Sequence, residues 1–115
     1  MTTANEYQVS KILTLGVAFA PVYTVSFARW STIKNIHIAN SSAGAVAVKV
    51  CFVFQGLTPL QGNAALWNFS VPGNDFIEYG EGIKLPPGTS VQGLAASANV
   101  INLWLSATEA VLSSA

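Results

Sequence analysis

The sequence predicts an all-β domain, a β-sandwich or jelly roll of about eight short antiparallel strands. Three observations carry this. Apolar residues recur with a period of two through most of the chain, the pattern of strands with one buried face. Turn chemistry interrupts that pattern at Asn40-Ser41-Ser42-Ala43-Gly44, Pro72-Gly73-Asn74-Asp75 and Pro86-Pro87-Gly88. No segment shows a convincing helical period; the best stretch, residues 108–114, is too short to stand alone.

Taken in order, residues 1–6 read as a flexible polar N-terminal arm. Residues 7–109 read as the β-sandwich domain, and 110–115 as a C-terminal tail. Tyr7, Val9, Lys11 and Leu13 alternate with Gln8, Ser10, Ile12 and Thr14 in a first strand. Residues 22–27 make a second, with Val22, Thr24 and Ser26 against Tyr23, Val25 and Phe27. Residues 28–31 read as a turn and 32–39 as a third strand. The apolar phase of that strand shifts between Ile33 and Ile36, as a β-bulge would cause.

The strongest strand follows the 40–44 turn, with Val46, Val48, Val50, Phe52 and Phe54 on one face. The third strand, this turn and the fourth strand together read as a β-hairpin. Residues 55–63 form a loop with Gly56, Pro59 and Gly62. Ala65, Trp67, Phe69 and Val71 then alternate with Leu66, Asn68 and Ser70. Strands at 76–80, 83–85, 90–96 and 99–108 complete the chain. In the last, Ile101, Leu103 and Leu105 face one way and Trp104 the other. Gly73, Gly82 and Gly88 are read as turn glycines with positive φ.

Composition narrows the function. Hydrophobic residues make up 51% of the chain and charged residues 9%, against roughly 25% charged in an ordinary soluble domain. Five basic and five acidic side chains cancel. Nucleic-acid binding needs a basic patch, and Lys11, Arg29, Lys34, Lys49 and Lys84 are scattered. Disorder needs low hydrophobicity and high net charge. One cysteine, Cys51, makes no internal disulfide framework and reads as a small buried hydrophobe. The N-terminus lacks the basic region of a secretory signal. The apolar stretch 12–25 is too short and broken to span a bilayer, so no membrane partner is expected. Asn40-Ser41-Ser42 and Asn68-Phe69-Ser70 fit the glycosylation pattern and are read as chance matches.

Catalytic chemistry is sparse. His37, the one histidine, sits between two isoleucines and points away from them, with no partner carboxylate suggested by pattern. Asp75, Glu78 and Glu81 cluster around one turn but lack the oxygen-ligand alternation of a calcium loop. One His and one Cys make no zinc set, and no Gly-x-Ser-x-Gly elbow exists. The reading is no enzyme, no catalytic residue, no cofactor and no metal.

Trp67, Trp104 and Leu66 leave the chain apolar on both faces at several places. A sandwich needs only one apolar face per sheet, so a second buried surface against other subunits is expected. Trp30, Trp67, Trp104, Tyr7 and Arg29 are the candidate interface residues. A carbohydrate platform of Trp or Tyr beside Asn, Asp or Glu is the alternative.

Residues 20–109 also carry a family pattern. Its pieces are Val22-Tyr23-Thr24-Val25, the strand and turn from Thr32-Ile33-Lys34-Asn35-Ile36-His37-Ile38-Ala39 to Asn40-Ser41-Ser42, the strand 45–54, and Gly82-Ile83-Lys84-Leu85-Pro86-Pro87-Gly88-Thr89-Ser90-Val91. Together they resemble small β-sandwich virion proteins of tailed bacteriophages, the head decoration or cement proteins and related neck or tail components. Thr89 stands where that family usually has Asp, and Trp30 replaces a Gly/Lys-rich turn. The resemblance implies a virion structural protein that bridges and stabilises the major capsid protein. It further implies a homotrimer on the capsid surface, assembled in the host cytoplasm. A neck, baseplate or tail-fibre role uses the same scaffold.

Overall fold

Period-two alternation becomes strand wherever turn residues bound it. The computed structural model describes residues 6–80 and 82–111; most of the expected arm, the end of the tail and Glu81 lie outside them. The strands are β1 (Glu6–Thr14), β2 (Ala20–Thr24), β3 (Arg29–Asn40), β4 (Val46–Val53), β5 (Ala64–Val71), β6 (Asp75–Tyr79), β7 (Ile83–Leu85), β8 (Ser90–Ala95) and β9 (Ile101–Val111). A 3-10 turn, Gln61–Asn63, precedes β5.

Two antiparallel sheets face each other. The first has the order β1-β9-β3-β6, with β7 also pairing β3; the second has the order β2-β8-β4-β5. With the short β7 set aside, these are the two four-stranded sheets of a jelly roll. The expected all-β sandwich is what the chain forms. Its first and last long strands, β1 and β9, lie side by side.

The expected hairpin around residues 40–44 does not form. β3 belongs to the first sheet and β4 to the second, so the turn crosses between layers. Asn40 dictates this crossing. Its buried amide donates to the carbonyls of Gly44 (2.8 Å) and Val71 (3.0 Å). Its Oδ1 accepts from the Ser42 amide (2.9 Å) and hydroxyl (2.7 Å). One side chain thus satisfies four polar groups, three in the turn and one at the end of β5.

Several boundaries also move. The strand read as starting at Thr32 begins at Arg29, so Trp30 is a strand residue and not a turn residue. β2 ends at Thr24, and Phe27 lies in the turn closed by the Arg29 amide on Ser26 O. β9 runs on to Val111, past the expected end, because Glu109 is buried and held by partners in β2 and β3. Gly73 has no positive φ; Asn74 does, at 53°. Gly73 is instead demanded by space, since a Cβ there would stand 2.1 Å from the Ala43 carbonyl oxygen. Gly82 and Gly88 do take positive φ, as expected.

The phase shift in β3 is a bulge: its register against β9 slips between Ile33 and Asn35. The slip keeps Ile33, Ile36 and Ile38 all pointing inward and buried. Against β5, β4 slips twice, with Asn68 of β5 at φ 55°. β4 itself keeps its alternation. Val46, Val48 and Val50 line the core, with Phe52 packed against it. Phe54 lies beyond the strand and is exposed, so the inward face ends one residue pair early. Cys51 is buried on the opposite face, its Sγ 3.5 Å from the Leu60 carbonyl oxygen in the following loop.

The core lies between the sheets and is built from Ile101, Leu103 and Leu105 of β9, Ile36 and Ile38 of β3, Val48 and Val50 of β4, and Val91 of β8. Replacing Leu103 with Ala should destabilise the fold by about 2–5 kcal/mol, the range for a fully buried leucine. Asn40→Ala removes the side-chain donor to the buried Val71 carbonyl and should cost about 1–3 kcal/mol. Urea unfolding followed by tryptophan fluorescence measures both.

Candidate interaction surfaces

Residues directly opposite in an antiparallel pair share a face of the sheet. That rule places the odd residues of β1 inward with Leu103, Leu105, Ala107 and Glu109, and the even ones outward with Trp104, Ser106 and Thr108. Continued across β9, β3 and β6, it sets one outward row of Ile12, Trp104, His37 and Glu78. The next row holds Thr14, Asn102, Ala39 and Phe76.

This outer face is more apolar than a solvated sheet face needs to be. Ile12 is 68% exposed, Trp104 52% and Phe76 54%. The Trp104 indole donates to Ser10 Oγ at 2.7 Å. His37 stacks on Phe76 with ring centroids 4.7 Å apart. Glu78 supplies the carboxylate partner that the sequence pattern did not suggest, at 3.0 Å from His37 Nδ1. That hydrogen bond holds the exposed Glu78 carboxyl below its ordinary value.

A second polar group ties the layers together at the end where β1 and β2 run close. Glu109 of β9 is buried and forms an ion pair with Arg29 of β3 at 2.9 Å. It also accepts the phenolic O–H of Tyr23 from β2, the facing sheet. Ser31 Oγ lies 2.9 Å from the same phenol and donates to it. Burial pushes the Tyr23 phenol well above its ordinary value of 10.0, and the Glu109 carboxylate adds to the effect. Arg29 also lies over the Tyr7 ring, 4.1 Å from its centroid. A groove of about 580 Å³ opens here, lined by residues of β1, β2 and Glu109.

The five candidate interface residues therefore fall in three places. Tyr7 and Arg29 belong to the clasp around Glu109. Trp104 and Trp30 lie on the outer side of the first sheet. Trp67 lies in β5 of the second sheet, stacked with Phe19 at 6.4 Å and covered by Lys49 at 4.1 Å. Ile12, Phe76 and Glu78 were missed as surface partners. Their alternation is visible in the sequence, but the register that brings them beside Trp104 and His37 is not.

Two further features concern contacts with other molecules. One end of the sandwich exposes Phe27, Phe54, Leu57 and Leu60. The Phe27 and Gln55 side chains both approach Gly88, so the loops carrying them meet. The edges of the sheets also differ. β2 carries Pro21 and a bulge, and β5 is broken by two register shifts, one at Asn68 and one at Ala65; both devices discourage strand addition. β1 is a nine-residue edge strand without proline or bulge, and among the described residues it pairs only with β9.

Among the described residues no group of three or more His, Cys, Asp or Glu side chains is placed to hold a metal ion. Among the described residues no helix is long and apolar enough to cross a membrane. Cys51 is buried, and burial raises its thiol pKa.

Tyr23 gives a pH prediction with a definite sign. The folded state holds its proton more tightly than the unfolded chain does. The Tyr23 contribution to stability should therefore be level below pH 10.0 and fall as pH rises beyond it. Tyr23→Phe should flatten that alkaline fall in urea titrations run at stepped pH. For Glu78 the sign is opposite. Its contribution is present above the ordinary carboxylate value of 4.5 and is lost as pH falls through the lowered one. In His37→Ala, the Glu78 carboxyl resonance should titrate at a higher pH than in the parent protein.

No protein-family model matches the chain, and no curated protein matches it. A solved structure does share the fold. It comes from Bacillus endospore appendages, described as forming a novel family of disulfide-linked pili. The superposition has a TM-score of 0.59 and 15% sequence identity, and it covers 96% of this chain and 90% of that one. At that identity the likeness is one of fold.

Proposed function

We propose that this chain is a non-enzymatic structural subunit of a multi-subunit assembly outside the cell. The observation that carries the proposal is the open edge of β1, nine residues long and without proline or bulge. Such an edge is a template for a strand of a neighbouring molecule. The exposed apolar end around Phe27, Phe54, Leu57 and Leu60 adds surface for lateral packing. Low charge supports the same reading, because a surface covered by neighbours needs little charge for solubility.

In its finer form the proposal is a decoration subunit, a homotrimer bridging major capsid proteins on a virion surface. The strand and turn pattern of residues 20–109 supports that form. The fold shared with an endospore appendage subunit supports a second form, a subunit that polymerises with itself. A chain of disulfide-linked subunits needs a thiol for each of two neighbours. This sequence has one cysteine, and it is buried. A self-polymer of this chain is therefore held by non-covalent contacts.

Proline scanning of β1 tests the assembly. Successive residues of a strand point their N–H groups to opposite sides. Of Ser10→Pro and Lys11→Pro, one deletes a bond to β9 and the other deletes an outward N–H. The outward variant should keep the parent melting temperature and lose assembly in sedimentation velocity. Wild-type particles should persist in reductant and dissociate in urea. Binding of the wild-type protein to capsids stripped of decoration separates the virion form from the self-polymer form. A wild-type protein that stays monomeric at all concentrations and binds no capsid overturns both.

A further inference from the structure

We propose that the outer face of the first sheet holds a shallow binding site for a neutral saccharide, with Trp104 as its stacking platform. The site is a depression of about 330 Å³ lined by Asn35, His37, Glu78, Trp104 and Ser106. That volume is at the small end of the range for small-molecule sites, roughly 300–1,000 Å³. The inference goes beyond the assembly role and stands independently of it.

The indole is held in a particular posture. Its N–H reaches the hydroxyl of Ser10, which rises from the neighbouring strand on the same face. A serine hydroxyl stands only a short way above the sheet, so the ring edge that meets it is drawn down toward the strands. An exposed ring fixed in this way offers apolar area with little conformational entropy left to lose on binding. Ile12, directly opposite Trp104 on β1, extends the apolar area on one side.

Polar capacity surrounds the ring on the other side. His37 Nδ1 and Asn35 Nδ2 both approach Glu78 Oε2, at 3.0 and 3.5 Å. Among the described residues, His37 Nε2, Glu78 Oε1 and the Ser106 hydroxyl make no side-chain hydrogen bond. Donors and acceptors thus stand unspent around an aromatic surface. An apolar protein face seated here would bury those groups without partners, which is unfavourable. The hydroxyls of a saccharide offer each of them a partner, while its C–H face lies on the indole. Glu78 and His37 are the titratable groups of the depression. The Glu78 carboxylate disfavours a phosphate there, whereas a saccharide hydroxyl can donate to it.

The test is a proton–nitrogen NMR titration of the full chain with chitotriose, cellotriose and maltotriose at millimolar concentration. The Trp104 indole N–H and the Asn35 side-chain amide should shift, saturably, with at least one probe. Trp104→Ala and Glu78→Gln should each weaken that binding by about tenfold or more, and Trp30→Ala should leave it unchanged. Both altered side chains are exposed, and the backbone spectrum of each variant reports whether the fold is kept. Absence of any shift with all three probes overturns the site. So does binding that survives Trp104→Ala in a folded variant. A Trp104 shift that follows protein concentration alone marks the face as a contact between copies, and also overturns it.

Discussion

The fold depends on a single apolar layer between two sheets. Ile101, Leu103 and Leu105 of β9 lie at its centre, flanked in the same sheet by Ile36 and Ile38 of β3 and faced by the valines of β4 and β8. Each strand contributes every second residue, so a slip of one position would turn its whole apolar set out to water. The bulge between Ile33 and Asn35 follows from that constraint. Without the extra residue, either Ile33 or the pair Ile36 and Ile38 would face outward. The nine-residue edge β1 and the outward row around Trp104 are positioned by the same registers.

Scarce charge gives the few ionic groups large roles. Among the described residues Glu109 is the one buried acidic side chain, and it meets a guanidinium, a phenol and, through that phenol, a serine hydroxyl. A buried carboxylate with fewer partners would be costly. The partners come from β2 in one sheet and β3 in the other, so satisfying Glu109 also fixes how the two sheets meet. Arg29 and Lys49 rest on aromatic rings. In a chain with so few charges, aromatic faces serve as partners for cations.

The surfaces available to other molecules are of separate kinds. The β1 edge offers backbone hydrogen bonds, and the end bearing Phe27, Phe54, Leu57 and Leu60 offers apolar area. The outward face of the first sheet mixes aromatic rings with unspent polar groups. Edge and apolar end suit lateral assembly, where affinity accumulates over large area. The aromatic face suits a small polar ligand. Pro21 in β2 and the bulges in β5 disfavour strand addition at the edges of the second sheet.

The all-β class, the inward set of β9, the outward direction of Trp104 and His37, and the bulge in β3 are legible in the sequence alone. All of these follow from local period-two alternation and turn chemistry, which are written into neighbouring residues. Tertiary structure alone decided that the 40–44 turn crosses between sheets, because Asn40 is held by Val71, thirty-one residues further along the chain. It alone brought Glu78 to His37 and Tyr23 to Glu109, partners 41 and 86 residues apart. It alone extended β9 through Glu109, whose burial depends on those distant partners. Alternation says which side of a strand a residue takes; only the register between strands says what it meets there.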